Sequence, residues 1–151
     1  MKGMTLIVKQ VTKLVIGFIL LYSAYIILYG HLSPGGGFVG GVMLACGFIL
    51  LVLAYGKDFV NSMISDESLK GWDCFGALAF LVLALIGYAL GGYFAENFLS
   101  KGENYHLISG GFIPIANIAI GIKVGACMAG AFVGLTIFHL SKDTSSESHM
   151  L

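Results

Sequence analysis

The sequence contains no arginine, and its eight basic residues are all lysines. Guanidinium forks are the usual means of gripping phosphate or carboxylate in a bidentate way, so a dedicated anion clamp is disfavoured. Charge of either sign is scarce. Charged residues make up 11% of the 151 residues and hydrophobic residues 58%, whereas a soluble protein of this size would expose far more charge. No basic run offers a nucleic-acid surface, no acidic tail offers a cation sponge, and the formal net charge is zero. Cysteine is limited to Cys46, Cys74 and Cys127, with no Cys-x-x-Cys pair among them. They lie in or beside apolar runs and read as small packing residues rather than metal or redox ligands.

What is abundant is long apolar sequence. The mean hydropathy is +0.92, a surface that water would not tolerate. Four apolar runs, at about 8–30, 37–55, 72–95 and 112–140, are each long enough to cross a bilayer. They predict an all-α integral membrane protein with about four transmembrane helices in a single domain, 1–140. The first run lacks a small-x-small cleavage site and leads into three more, so it reads as a membrane helix rather than a signal peptide. Gly30 to Gly37, with Pro34 and three consecutive glycines, breaks the helix between the first two runs. Gly56 to Gly71 and Ala95 to Ser109 are polar and read as loops outside the hydrocarbon. Trp72 and Tyr93 stand near the ends of the third run, where amphipathic rings favour the interface, and Pro114 suits a first helical turn. The serine-rich tail, 141–151, reads as disordered.

Four crossings place both termini on one side, together with Lys2, Lys9, Lys13, Lys57, Lys70 and Lys142; the other side holds Lys101. The positive-inside rule therefore predicts cytoplasmic termini for a multi-pass protein of the cell membrane. Glycines recur four apart at Gly36/Gly40, Gly37/Gly41, Gly87/Gly91, Gly121/Gly125 and Gly130/Gly134. Such ridges let helix backbones approach closely in lipid. A bundle this small has little interior of its own, so partner subunits are the economical explanation.

Lys123 is the most informative side chain, because it stands near the middle of the fourth run, where lipid penalises charge and the stem is barely long enough to snorkel. It requires a polar cavity or a carboxylate. Two roles remain open, a proton or cation relay and a buried charge that fixes the docking of a partner subunit. Asn117 lies six residues earlier, which turns the helix by about 240°, so the two do not stack on one face, although they can border one cavity. Asn117 suits an interhelical hydrogen bond better than ion binding. His31, beside the glycine turn, is either a proton group or a cap on the helix end. His106, His139 and His149 suggest nothing specific. Gly35-Gly36-Gly37-Phe38 lacks the lysine and hydroxyl residue of a phosphate loop and reads as a tight re-entry into the second helix.

The segment His31-Leu32-Ser33-Pro34-Gly35-Gly36-Gly37-Phe38-Val39-Gly40-Gly41 resembles the His-x-x-Pro-Gly-Gly-Gly-Phe-x-Gly-Gly signature of the B-type (MnhB) subunit of Mrp multisubunit sodium/proton antiporters. A second block, Asn117 to Gly125, is similar to that family's Asn-x-x-x-Gly-x-Lys-Val stretch. The resemblance implies a small accessory membrane subunit, not itself an enzyme and without a cofactor or metal of its own. Its partners would be the small and large subunits of a complex exchanging sodium ions for protons. The same module resembles parts of the membrane arm of energy-converting hydrogenases and sulfur-reducing complexes, where ferredoxin-driven redox chemistry is the driver. A haem-bearing redox subunit is a weaker alternative, since His31 and His106 lie outside helix cores. A self-contained homo-oligomeric transporter lacks support from any repeat between the halves. On this reading the second and fourth helices carry the function and face partners or a hydrated cavity, and the first and third serve mainly as anchors and packing surfaces.

Overall fold

The computed structural model describes residues 4–56, 66–95, 97, 99 and 109–148. The described residues form four long helices: α1 (Leu6–Tyr29), α2 (Gly37–Tyr55), α3 (Asp66–Gly91) and α4 (Ile113–Ser148). All four are long and apolar enough to cross a membrane. At 1.5 Å per residue the 24 residues of α1 reach about 36 Å and the 19 of α2 about 28 Å, matching the thickness of a hydrocarbon core.

Glycine sets several of the helix boundaries. After α1 the chain turns with the Leu32 and Ser33 amides bonded to the Tyr29 carbonyl. Gly36 then adopts φ 84°, ψ −165°, a region essentially restricted to glycine, and α2 begins at the next residue. Gly56, at φ 90°, ends α2. α3 begins at Asp66, six residues before the expected start at 72. An acidic pair at the head of a helix complements the N-terminal dipole, so residues that read as loop by polarity are helical. The same helix stops at Gly91, short of the expected 95, where Gly92 takes φ 88°. α4 starts one residue after its expected position, with Pro114 in its first turn, and its backbone continues to Ser148 rather than 140. No glycine or proline follows Gly134, so the sequence supplies no stop signal at 140.

The helices are not arranged as a closed four-helix bundle. α1 packs on α2, and α4 packs against α1, α2 and α3, while α3 packs extensively on α4 alone. The most deeply buried side chains are mainly small, with Ala45, Ala54, Ala84, Ala119 and Ala129 all 5% exposed or less, and a few larger ones such as Ile26, Ile27, Val52 and Val133 are buried with them. The exterior carries most of the large ones, including Leu14, Phe18, Leu21 and Tyr25 on α1 and Phe75, Leu78, Leu81 and Leu85 on α3. This inversion is expected where lipid solvates large apolar groups and close backbone approach supplies the attraction.

The α1–α2 pair shows how that approach is made. Ser23 is completely buried and donates its hydroxyl hydrogen to the Gly40 carbonyl at 2.6 Å. A Cβ at Gly40 would collide with the Ile27 side chain and lie 3.2 Å from the Ser23 carbonyl. At the opposite end the Met4 amide bonds to the Ala54 carbonyl, and Lys9 lies 5.7 Å from the centre of the Tyr55 ring.

Candidate functional site

The two sequence blocks singled out above meet at the α2–α4 interface. A Cβ on Gly37 would run into the Asn117 backbone, and one on Gly41 would lie 2.7 Å from the Gly121 carbonyl oxygen and 2.8 Å from the Val124 Cβ. From the other side, Gly125 approaches the Gly41 carbonyl. The glycine signature is therefore a seam that brings two backbones together within the chain, as close approach requires.

Asn117 sits at the head of α2, with its side-chain amide next to Gly36. His31 faces the entry to α4: its Nε2 is 3.2 Å from the Ser109 hydroxyl, and the ring lies against Gly110. Asn97 braces the same entry, because its side-chain oxygen accepts from the Phe112 amide at 3.2 Å. Pro34, Gly35 and Phe38 belong to the turn and the start of α2, and the Phe38 ring faces outward. His106 and His149 lie outside the described residues, and for His139 only the helical backbone is described.

Lys123 faces a different helix. Its Nζ is 2.9 Å from Asp73 Oδ1 on α3 and donates a hydrogen bond to it, forming an ion pair within two membrane-length helices. Gly76, one turn along α3, makes this possible. A Cβ there would lie 2.7 Å from the Lys123 backbone nitrogen and 2.8 Å from the Lys123 Cβ. α3 thus presses directly on the α4 backbone, and Asp73, three residues earlier on the same face, comes within reach. Asp73 also lines a groove of about 290 Å3 between α3 and α4, with Lys70, Cys127, Gly130 and Gly134.

This arrangement sharpens the sequence reading. Asn117 and Lys123, which the sequence allowed to border one cavity, face different helices. The 240° turn between Asn117 and Lys123 sends the first to α2 and the second to α3, and His31 belongs with the outer turn. α3 is more than an anchor, since it supplies the carboxylate. The three cysteines are free and exposed on the chain. Asp73, Gly76 and Ser23 escaped the sequence reading. A lone acid near the head of an apolar run, followed three residues later by glycine, was the available signal for the first two.

The family model described as a domain related to the MnhB subunit of Na+/H+ antiporter matches residues 7–130. This chain belongs to that family. Among MnhB relatives, the B-type Na(+)/H(+) antiporter subunit of Bacillus subtilis is 49% identical over 59 residues, covering 39% of this chain and 41% of its own. A putative antiporter subunit mnhB2 of Staphylococcus aureus is 34% identical over 104 residues, covering 68% of this chain and 70% of its own. An uncharacterized protein of Methanocaldococcus jannaschii is 38% identical over 113 residues, 70% of this chain and 42% of that one. The chain thus spans about two fifths of the length of the archaeal and the Bacillus relative. In three dimensions the MnhB-type chain matches a chain of the membrane-bound sulfane sulfur reductase, an archaeal respiratory membrane complex. The TM-score is 0.70 at 34% identity, over 83% of this chain and 55% of the other.

Proposed function

We propose that this multi-pass membrane protein is a small accessory subunit of a multisubunit sodium/proton antiporter module in the cell membrane, with cytoplasmic termini. It performs no catalysis itself and needs no cofactor. Its own contribution is the Asp73–Lys123 pair, which borders a hydrated ion pathway formed with neighbouring subunits. The observation that carries this reading is the position of the pair. Two opposite charges lie within apolar helices, and their side chains remain 35% and 43% exposed on the isolated chain. Charges at that depth face a water-filled cavity or another protein far more often than lipid. The membership in the MnhB family and the names borne by its relatives agree with a transport complex.

Chemically, the pair provides an ammonium and a carboxylate that neutralise one another. A cation approaching Asp73 competes with the Lys123 ammonium for the carboxylate, so one positive charge can take the place of the other. That exchange is the elementary act an antiporter pathway needs. Lys123→Ala in the assembled complex is expected to abolish sodium-dependent proton exchange in inverted membrane vesicles, and Asp73→Asn to do the same. Full exchange by an assembled Lys123→Ala complex would leave the pair a structural role only.

A second reading is favoured by the likeness to the sulfane sulfur reductase chain: the same module serving the membrane arm of a redox-driven complex. Iron–sulfur absorbance in the co-purified complex would select this reading, and its absence, with sodium-dependent exchange present, would select the antiporter.

A further inference from the structure

Most of the outward surface of this chain carries large apolar side chains, but one face of α4 does not. Lys123, Cys127, Gly130 and Gly134 succeed one another at helical spacing, and the outer turn between them adds exposed Ala131. Among the described residues neither Gly130 nor Gly134 is used inside the chain: a Cβ at either would meet nothing within 4 Å. This contrasts with Gly37, Gly41, Gly76 and Gly121, where a Cβ would clash with a neighbouring helix. The bare strip opens onto the α3–α4 groove whose wall holds Asp73, and the half-exposed ion pair lies along it. Among the described residues the Lys123 hydrogen bond goes to Asp73 Oδ1. An ammonium has three N–H donors, so hydrogen-bonding capacity remains on the outward side.

We propose that this face is the docking site for one transmembrane helix of a neighbouring subunit, which offers an oxygen-bearing side chain to Lys123 and lies closely against Gly130 and Gly134. The proposal rests on the multisubunit reading above. Hydrogen-bonding complementarity selects this occupant. A lipid chain brings no hydrogen-bond acceptor to mid-membrane depth, whereas a polar helix satisfies the ammonium and gains the close backbone contact that glycine permits.

The test replaces Gly130 and Gly134 singly with leucine in the complete complex, with Gly17→Leu as control. Gly17 lies on α1, and a Cβ there also meets nothing within 4 Å. All three variants are expected to insert and fold. Gly130→Leu and Gly134→Leu are expected to lose the neighbouring subunits on native gels, and Gly17→Leu to keep them. Photo-crosslinking from a maleimide–diazirine reagent on Cys127, in a complex carrying Cys46→Ser and Cys74→Ser, should join this chain to a different subunit. Retention of all subunits by both leucine variants would overturn the proposal and leave lipid at this face, and a crosslink between two copies of this chain would overturn it in favour of self-association. If the wild-type chain purifies without other subunits, the multisubunit reading itself fails, a result distinct from either of these.

Discussion

Gly76 stands one helical turn from Asp73, and its missing side chain is what lets a carboxylate on α3 reach an ammonium on α4. A methyl group placed there would lie 2.7 Å from the Lys123 nitrogen. The neighbouring atoms are backbone and Cβ and cannot swing aside, so α3 must move away at a cost of about 1–3 kcal/mol. Gly71, five residues earlier in the same helix, has nothing within 4 Å of the same position. Gly71→Ala is therefore expected to leave the melting temperature of the detergent-solubilised complex unchanged or raise it, since alanine favours helix. Gly76→Ala is expected to lower it, and equal shifts for the two would show that α3 and α4 are not locked at Gly76. Lys123 was legible in the sequence because a single cation in an apolar run is conspicuous. Asp73 was not, for a reason of position. Next to Trp72 and close to a polar stretch, an acid reads as interfacial, and it becomes a membrane residue only because α3 begins two turns earlier at Asp66. Nothing in the spacing along the chain joins residues 73 and 123, since their partnership is made by a helix crossing.

The helices themselves were read from hydropathy, and four of them stand among the described residues. Their ends shifted wherever polar residues continued a helix or glycine cut one short. The α1–α2 connection is the element where local chemistry decides most. Gly36 takes a backbone conformation that other residues rarely adopt, yet a Cβ there would have room, its nearest neighbour being the Asn117 side-chain oxygen at 3.6 Å. Gly36→Ala thus isolates the conformational cost from any clash, and about 1–3 kcal/mol of destabilisation is expected in chemical denaturation. A wild-type midpoint for this variant would mean that the turn relaxes without Gly36. Ser23, on the helix that faces this turn, shows the limit of reading polarity alone. One serine in an apolar run looks incidental, but its hydroxyl is a fully buried polar link between α1 and α2.

At the level of the molecule, the sequence indicated a membrane protein that depends on partners but not which helix lies at the centre. In water, polarity separates inside from outside. In lipid both sides are apolar, and the sorting is by side-chain size, which leaves little periodic signal when every helix mixes small and large residues. α4 is central because its glycines and alanines meet α2 at Gly41 and α3 at Gly76. The expectation that the second and fourth helices both face partners is therefore refined. Their glycine seam is spent on each other, and what α4 still offers outward is the strip around Lys123 and Gly130.

The order in which a ribosome delivers these helices gives the ion pair a place in biogenesis. Asp73 precedes Lys123 by 50 residues, and among the described helices α3 packs extensively on α4 alone. While the chain is being made, α3 must therefore enter the insertion machinery carrying an unmatched acid and with its packing surface not yet synthesised. A nascent chain halted before Lys123 is expected to remain crosslinked to the translocon through α3. Asp73→Ala is expected to release it into lipid at that same length. Equal crosslinking of the two nascent chains would show that the acid does not delay partitioning. If it does, Lys123 acts first as the signal that lets its predecessor leave the channel, before it has any ion to handle.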